Sequence, residues 1–519
     1  MMLKTITKFT PVKVLEKFED FLLADYSRTK KFITKSNPEV LEEISKKKAL
    51  AIFKRTINDT PAYASFINRK RINPRKINSI NKFNQLIPAT DKNNYIKKYS
   101  FEKRCREGHL PRLGNVDESG GTSGVATNWV HSFSEETHLF KAIQFEFNYV
   151  FEGDKKDFMV ISAWSTGPWA TGIKFCEAME RLSLVKNTAT DPEDVVKTLK
   201  MFGNKRNYLI SGYPPFVKNL IDNYDKKIKW KDYKIDLITG GEGVTLEWVH
   251  YIKNKLKKGA KVVSSYGASD IDIGVGFETP LCFFIRELIA KNPQLKQELF
   301  GHEDLPMVFQ YNPTMHYIKE VDAKDGKKEF EITVLDKYAI SPKIKYNLHD
   351  EGRKFSFNEL LAIIKKHEPK YLQKFSKKKE NIDNILKLPF LCIFGRSDGT
   401  LSFDGANVFP DQIEDAILTD KELEKKTSRF KMERKHNKNH NVEFHVHVEL
   451  KKQYKQTPKL KNKYVNKILT HLLEVNPDFK ESVTKNKTLK PVVNLYHYDQ
   501  KIFKRDDSKV KNIYILKSE

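Results

Sequence analysis

Cysteine is scarce in this chain of 519 residues, and its four copies lie far apart. Cys105, Cys176, Cys282 and Cys392 form neither a CxxC pair nor a zinc-binding spacing. These spacings exclude a disulfide-rich secreted domain and a zinc finger. Free thiols in a reducing compartment are the simplest interpretation.

Long apolar runs are also missing. No stretch of 18 apolar residues occurs, which excludes a transmembrane helix recognisable by hydropathy. Residues 1–10 lack an apolar core followed by a small-residue cleavage site, so we expect no signal peptide. Together with the free thiols, these absences predict a cytoplasmic protein.

Acidic residues are fewer than basic ones. The chain has 67 Asp and Glu residues against 93 Lys and Arg residues, which gives a net charge of +26. This charge allows attraction to nucleic acid, anionic lipid or an anionic ligand. The basic residues are mostly Lys in a chain that is also rich in Asn and Ile, a bias that an AT-rich genome produces without functional cause. No helix-turn-helix, zinc finger or RNA-binding module is recognisable, so we expect no nucleic-acid partner.

Four segments combine an apolar run with small and polar residues after it, and helical periodicity separates them. They are residues 158–172, 208–216, 235–243 and 261–270. Each pattern predicts a buried strand that ends in a functional loop. The alternation of strands with helices predicts an α/β fold.

Other local patterns predict elements on either side of these segments. Helical spacing covers residues 1–60 and 134–149, where Ser134 is the predicted N-cap, and Pro410 marks a helix start. Residues 329–335 and 442–450 are predicted strands.

Ser119–Thr127 is the most distinctive stretch, with three glycines and four hydroxyl residues in nine positions. Such a run makes a poor helix or strand, because Gly costs backbone entropy and Ser and Thr compete for backbone hydrogen bonds. It suits a loop whose N–H groups and hydroxyls surround a phosphate. A simple surface turn is the alternative.

Aromatic residues follow two of the predicted strands. Trp164 and Trp169 lie among Gly, Pro and Thr after the first, and Tyr213 follows the second. Both ligand pockets and ordinary cores contain aromatic side chains, so the pattern is compatible with either a pocket or core packing.

The strand at 442–450 alternates cleanly and places Glu443, His445, His447 and Glu449 on one face. These residue types can bind a metal ion. Because the opposite face is apolar, a half-buried strand with a solvated polar side is the simpler interpretation.

Taken in order, the motifs across roughly residues 50 to 515 resemble those of the adenylate-forming enzyme superfamily, and within it the phenylacetate–CoA ligase-like branch. The motifs that carry the resemblance are the loop Ser119–Thr127, Tyr266-Gly-Ala-Ser-Asp270, Asp350 after Tyr346, Gly395-Arg-Ser-Asp398, Gly405-Ala-Asn-Val-Phe-Pro410, Thr60-Pro-Ala-Tyr63 and Thr90-Asp-Lys92.

The resemblance implies a large N-terminal adenylate-forming domain, with mixed sheets and flanking helices, and a small α+β C-terminal domain joined by a hinge at Asp398. The predicted division is an N-terminal helical extension at 1–50, the large domain at 51–397 and the small mobile domain at 398–519.

The resemblance also assigns residue roles. Those expected to hold the ATP phosphates are Ser119, Gly120, Gly121, Thr122, Ser123 and Gly124. Those expected around adenine and ribose are Gly241, Glu242, Tyr266, Gly267, Asp350 and Arg396. Asp270 is the expected Mg²⁺ ligand, and Lys509, with Lys511 next, is the expected catalytic cation. Trp164, Trp169 and Tyr213 are the expected walls of an aryl or apolar acyl pocket.

The implied activity is ATP-dependent conversion of a carboxylic acid to an acyl-adenylate, followed by acyl transfer to a thiol. The implied cofactors are ATP, Mg²⁺ and coenzyme A. Transfer to a carrier protein or an amine, and an inactive ATP-fold binding protein, are the alternatives.

The chain departs from the family pattern at several positions. Gly120 and Val125 stand where serine and lysine are common, Asp270 stands where Glu is usual, and a Lys-Tyr-Asn-Leu-His run precedes Asp350 where an Arg-Tyr-x-x-Gly type run is usual. These departures bear on activity more than on fold.

Overall fold

The computed structural model describes residues 10–119, 127–301, 305–323, 326–377, 382–397, 399–437 and 441–503. They divide into two compact units. The first contains the described residues up to Asp117, with Asn128–Gly212 and Tyr224–Gly395, and the second contains the described parts of 118–127, 213–223 and 396–503. The division into 1–50, 51–397 and 398–519 stays a prediction.

Helices make up most of the described chain before the first strand, as the periodicity of residues 1–60 predicts. They are α1 (Val12–Leu23), α2 (Tyr26–Lys35), α3 (Pro38–Asp59), α4 (Pro61–Arg69), α5 (Ile80–Leu86) and α6 (Phe101–Arg104). Helix α3 begins where the Asn37 side chain accepts from the N–H of Glu39, with Pro38 in the first turn. Because α3 runs unbroken through residue 50, the boundary predicted there does not coincide with the end of an element.

Further helices of the first unit alternate with strands. They are α7 (Phe133–Phe151), α8 (Ala170–Met179), α9 (Pro192–Phe202), α11 (Leu246–Lys255), α12 (Pro280–Lys291), α13 (Pro293–Phe300), α14 (Phe357–His367) and α15 (Tyr371–Lys377), with α10 (Pro214–Asn223) grouped with the second unit.

The N-cap predicted for α7 was wrong. Ser132, not Ser134, caps the helix: its Oγ accepts from the N–H of Glu135 at 3.2 Å, and Glu135 Oε2 accepts from the N–H of Ser132 at 3.3 Å. This reciprocal capping box requires Glu three residues after the cap. Only Ser132, of the two serines, has a Glu at that spacing.

Thirteen strands precede residue 397 in the described chain. They are β1 (Gly114–Ser119), β2 (Thr127–Ser132), β3 (Phe158–Ser162), β4 (Leu184–Asn187), β5 (Asn207–Gly212), β6 (Lys234–Thr239), β7 (Val262–Ala268), β8 (Asp272–Phe277), β9 (Met307–Tyr311), β10 (His316–Asp322), β11 (Lys328–Val334), β12 (Tyr346–Phe355) and β13 (Phe390–Arg396). A strand is present at 158–162 and 329–335, within a residue of the expected bounds, and in the first part of each of the segments 208–216, 235–243 and 261–270.

Eleven of these strands form one mixed sheet in the order β10-β11-β12-β13-β9-β8-β7-β6-β5-β3-β4. The half from β4 to β7 is parallel, and β7, β8 and β9 continue it in antiparallel pairs. Strand β3 is buried along its whole length, as expected for a parallel strand with both faces covered. The predicted α/β class is confirmed.

The second unit is built on a three-stranded sheet. Its elements after residue 400 are β14 (Leu401–Phe403), β15 (Ala406–Val408), α16 (Pro410–Leu418), α17 (Lys421–Lys426), β16 (Thr427–His436), β17 (Val442–Leu450), α18 (Pro458–Val475), α19 (Pro477–Lys485) and β18 (Val492–Tyr496). Strand β17 pairs antiparallel with β16 and parallel with β18. One face of the sheet packs against α18 in an apolar core that includes Phe444, Val446, Tyr464 and Ile468.

The solvated polar side expected for the strand at 442–450 was wrong for half of its residues. His447 is 6% exposed and Glu449 is fully buried. They are covered because the chain after β18 lies over this face: Tyr496 contacts the ring of Phe503, and Arg429, which pairs with Glu449, also bonds the carbonyl of Phe503.

Among the described residues, no helix is long and apolar enough to cross a membrane. All four cysteines are buried and free of disulfide bonds.

Candidate nucleotide site

The carboxyl ends of the parallel strands bring two predicted loops into contact. After β6, a Cβ added at Gly240 would lie 3.1 Å from Ser265 Oγ and 3.6 Å from the ring of Trp164. Trp164, which follows β3, therefore lies beside the Gly240–Gly243 turn. The next residue, Gly241, has φ of 80°, a conformation that favours glycine. Ligands of open α/β sheets bind at this kind of edge.

Tyr266 and Asp350 are the first pair of predicted site residues that the structure joins. The Tyr266 hydroxyl donates a 2.5 Å hydrogen bond to Asp350 Oδ2, across 84 positions of sequence. The Tyr266 ring stacks on Phe309, with centroids 5.8 Å apart and planes at 28°. One end of the tyrosine is thereby held by β9 and the other by β12.

An irregularity in β12 immediately precedes Asp350. Glu329 and Glu331 are two residues apart on β11, but they pair with Glu351 and Asn347, which are four apart on β12. His349 lies within this bulge at φ 64°. A β-bulge changes the direction of the side chains next to it. The side chain of Asp350 therefore does not follow the regular alternation of the strand.

Asp270, the predicted Mg²⁺ ligand, is buried and has two partners. The hydroxyl of Tyr346 donates to Oδ2 at 3.0 Å, and Lys92 Nζ lies 3.2 Å from Oδ1. A carboxylate has about four lone-pair positions, so both oxygens keep acceptor capacity. The carboxylate therefore fits a hard cation that takes its other ligands from phosphates and water.

Backbone pairing positions Lys92. Thr90 forms a parallel bridge with Tyr346. Its N–H donates to the carbonyl of Lys345 at 3.0 Å, and its carbonyl accepts from the N–H of Asn347 at 2.8 Å. Because Thr90 is fixed to the start of β12, Lys92 and Tyr346 both reach Asp270.

A second lysine lies near this group. Lys343 Nζ is 4.9 Å from the centre of the Trp129 ring, and Trp129 contacts Tyr346 edge-on at 6.1 Å. Burial lowers the pKa of Lys343 to about 8, against the opposing attraction of Glu135. The surroundings of Asp270 are therefore cationic, which suits an anionic ligand.

The structure assembles only some of the predicted residues. Gly120, Gly121, Thr122, Ser123, Gly124, Asp398, Lys509 and Lys511 lie outside the described residues. Ser119 ends β1, and Arg396 ends β13. Trp169 precedes α8, Glu242 follows Gly241 in its turn, and Gly267 follows Tyr266 in β7.

Tyr213 has an intra-unit contact of its own. It belongs to the second unit, where a Cβ added at Gly405 would lie 2.5 Å from its ring. Gly405 also has φ of 84°, so the close approach and the backbone conformation both require glycine there. A role for Tyr213 in an acyl pocket stays a prediction.

Sequence reasoning missed three residues of this group: Lys92, Lys343 and Tyr346. Lys92 was visible as the last residue of the Thr90-Asp-Lys92 motif, but nothing local connected it to Asp270. Tyr346 was visible four residues before Asp350. Lys343 carries no sequence signal beyond being one more lysine in a lysine-rich chain.

No protein-family model and no curated protein sequence matches this chain. Solved structures do. The chain is similar to 2-hydroxyisobutyryl-CoA ligase in complex with 2-HIB-AMP and CoA in the thioesterification state, with a TM-score of 0.62, 14% identity, and coverage of 94% of this chain and 91% of that chain.

Two further structures of that ligase also match. The open conformation with 2-HIB-AMP and CoA gives a TM-score of 0.52 at 14% identity, covering 92% of each chain. The postadenylation state with R3-HIB-AMP gives 0.52 at 13% identity, covering 94% of this chain and 91% of that one. The phenylacetate–CoA ligase-like branch stays a prediction. Similarity over nearly the whole length shows that this chain has the fold of the adenylate-forming enzyme superfamily.

Proposed function

We propose that this protein is an ATP-dependent acid–thiol ligase, which converts a carboxylic acid to an acyl-adenylate and then transfers the acyl group to coenzyme A. The observation that carries the proposal is the hydrogen bond between Tyr266 and Asp350. Two residues that resemble separate nucleotide-binding motifs meet at the edge of the sheet where ligands of α/β folds bind.

The nucleoside would be held by this pair. The Tyr266 ring stacks on Phe309, and it is the ring proposed to stack on adenine. The Asp350 carboxylate accepts hydrogen bonds from the ribose hydroxyls, which are donors that a carboxylate suits. Glu242 and Gly241, in the turn after β6, complete the expected adenine slot.

The residues proposed to bind the phosphates are Asp270, through Mg²⁺, and those of the loop motif at 119–124. Asp270 is the residue that would hold Mg²⁺, and when bound this ion would offset the negative charge of the phosphates. Lys92 supplies a fixed positive charge beside the same carboxylate. Lys509, or Lys511 next to it, is the proposed cation for the charge that develops in the transition state.

The thiol acceptor and the acid are the finer parts of the proposal. The similar ligase is solved with CoA and with an acyl-AMP, which supports the same two ligand classes here. Trp164, beside the Gly240–Gly243 turn, supports an apolar or aryl acyl group with Trp169 and Tyr213 as further candidates. A carrier-protein thiol or an amine is the other acceptor to test.

Carboxylate-dependent exchange of labelled pyrophosphate into ATP is the test, across aryl, fatty and amino acids. Asp270→Ala and Lys509→Ala are compared with Asp225→Ala and Lys455→Ala, which change exposed residues outside the proposed site. We expect exchange with one acid class, its loss in the first two variants and its retention in the second two. Thioester formation on addition of CoA then identifies the acceptor.

Two other outcomes would change the conclusion. Exchange without thioester formation would favour a carrier protein or an amine as acceptor. ATP binding with no exchange for any acid would overturn the ligase in favour of an inactive ATP-fold binding protein.

A further inference from the structure

The second unit contains a histidine–glutamate cluster that the proposed reaction does not use. We define it as Glu433 on β16 with His445 and His447 on β17. The two histidines are two positions apart on one strand, so both project from the same face. Glu433 is opposite His445 in the strand register and joins them on that face.

The three side chains are close enough to share one ion. One ligand atom from each lies within 4.8 Å of the others. His447 Nε2 is 3.0 Å from Glu433 Oε2, and the two imidazole rings stack with centroids 6.0 Å apart. Glu443 extends the cluster, since its Oε2 is 2.9 Å from His445 Nε2.

The second nitrogen of each ring is held from the neighbouring strand β18. His447 Nδ1 is 3.0 Å from the Tyr496 hydroxyl, and His445 Nδ1 is 3.2 Å from the Asn494 amide. Metal-binding histidines use their other nitrogen in this way, since an outer partner fixes the tautomer and the ring orientation. With a metal bound, Nδ1–H of His447 would donate to the hydroxyl, and the Asn494 amide would turn its oxygen to His445.

Two of the nearby cations are engaged elsewhere, and a third, Lys435, is opposite Glu443 in the strand register. Arg429 pairs with Glu449, and Lys431 donates to the carbonyl of Ile502 at 2.8 Å. The carboxylate of Glu433 is thus left facing the imidazole of His447.

A comparable group in the first unit has a lysine ammonium at the position that a metal ion could take. Asp117, His131 and Glu136 are as closely grouped. There, however, Lys174 Nζ lies 2.5 Å from Asp117 and 2.8 Å from Glu136, so an ammonium already neutralises the carboxylates. That group is an ion network of the core. The cluster on β16 and β17 holds two imidazoles and no ammonium at an equivalent distance among the described residues.

We propose that Glu433, His445 and His447 bind one divalent transition-metal ion, with Glu443 as the fourth ligand. Two imidazoles and carboxylate oxygens are ligand types that Zn²⁺ prefers. The ion would link β16 to β17 on the face opposite the apolar core and so stabilise the second unit. The proposal is independent of the proposed ligase activity.

The test uses the full-length protein without a histidine tag, freed of metal with a chelator. Zn²⁺ is titrated in competition with a chromophoric chelator, and Co²⁺ binding is followed by its visible absorption. We expect one Zn²⁺ per chain, no competition from excess Mg²⁺, and Co²⁺ bands typical of four-coordinate nitrogen and oxygen ligands. The melting temperature should rise with Zn²⁺.

His447→Gln and Glu433→Gln should weaken Zn²⁺ binding at least about tenfold, and Tyr496→Phe should weaken it by roughly the same factor through the outer shell. His445→Gln is included because His445 is less buried than His447, so this variant should fold even if His447→Gln does not. His471→Gln is the matched control, because His471 lies on α18, outside the cluster. Asp270→Ala should bind Zn²⁺ as the wild type does, which separates this site from the proposed nucleotide site.

Two results would overturn the proposal. One is Zn²⁺ binding of equal affinity in the wild type, His447→Gln and His445→Gln. The other is a crystal grown with Zn²⁺ whose anomalous density, measured at the zinc edge, is absent between Glu433 and the two histidines.

Discussion

Lys92 Nζ lies 3.2 Å from Oδ1 of Asp270, although 178 positions separate the two residues in the sequence. The position in the phosphate loop where lysine is common holds Val125 instead. We propose that Lys92 supplies, from a different part of the chain, a positive charge for the phosphates of ATP.

We therefore expect Lys92→Met to lower kcat/KM for ATP in pyrophosphate exchange by roughly 100-fold, the size of effect seen when one stabilising group is removed from a transition state. KM for the acid should change little. Lys97→Met, at an exposed position nearby, is the control. Equal activity of the two variants would exclude a role for Lys92 in ATP use, and melting temperatures would show whether either has lost stability.

Asp350→Ala should remove the preference for ATP over 2′-deoxyATP. If the carboxylate accepts hydrogen bonds from the ribose hydroxyls, its removal weakens the binding of ATP by about 1.5–3 kcal/mol, which raises KM for ATP roughly 10–100-fold. KM for 2′-deoxyATP should rise less. Tyr266→Phe removes the hydroxyl that bonds Asp350 but keeps the ring, so it should retain the preference. The measurement is KM for both nucleotides in each variant, and an unchanged preference in Asp350→Ala would contradict the assignment.

His349→Gly should be more stable than His349→Ala. The φ of 64° at this position is unfavourable for any side chain, and glycine adopts it without a Cβ clash. We expect a difference of about 0.5–1 kcal/mol in the free energy of unfolding. At Lys354 of β12, which is not in the positive-φ region, the order of glycine and alanine should reverse. Chemical denaturation of the four variants measures both differences, and the same order at both positions would contradict the backbone explanation.

Lys343→Met should stabilise the protein at pH 7. Burial lowers the pKa of Lys343 to about 8 in the folded state from an unfolded value near 10.4. The unfolded chain therefore binds more protons between these values, so this lysine destabilises the fold below pH 8 and the penalty disappears as the pH rises toward 10. The penalty at pH 7 is about 3 kcal/mol.

The variant should therefore show a smaller rise in stability between pH 8 and 10 than the wild type. Lys345→Met is the contrasting change, because Lys345 pairs with Glu331 at 3.0 Å and its loss leaves a buried carboxylate unpaired. We expect that variant to be less stable than the wild type at pH 7. Unfolding free energies measured across this pH range test both expectations, and a pH profile of Lys343→Met identical to that of the wild type would contradict the first.

Local patterns predicted the buried parallel strands β3, β5, β6 and β7, but they misplaced a helix cap where two nearby serines both suited the position. The apolar run Phe158–Ser162 predicted β3 at its observed bounds, because a parallel strand that is buried on both faces has a continuous apolar sequence. The N-cap of α7 was misplaced by two residues, since Ser132 and Ser134 both suit an N-cap and the reciprocal bond with Glu135 decided between them. The phosphate loop, the hinge and the catalytic lysine stay predictions, because they lie mostly outside the described residues.

The sequence by itself determined the α/β class, the positions of the parallel strands β3, β5, β6 and β7, and the choice of Tyr266, Asp270 and Asp350 as site candidates. Periodicity and short motifs encode these features, and both depend on neighbours along the chain. Only the tertiary structure decided that Lys92 pairs with Asp270 and that Glu433 joins His445 and His447. Those contacts follow from strand order, register and a bulge, which depend on residues far apart in sequence.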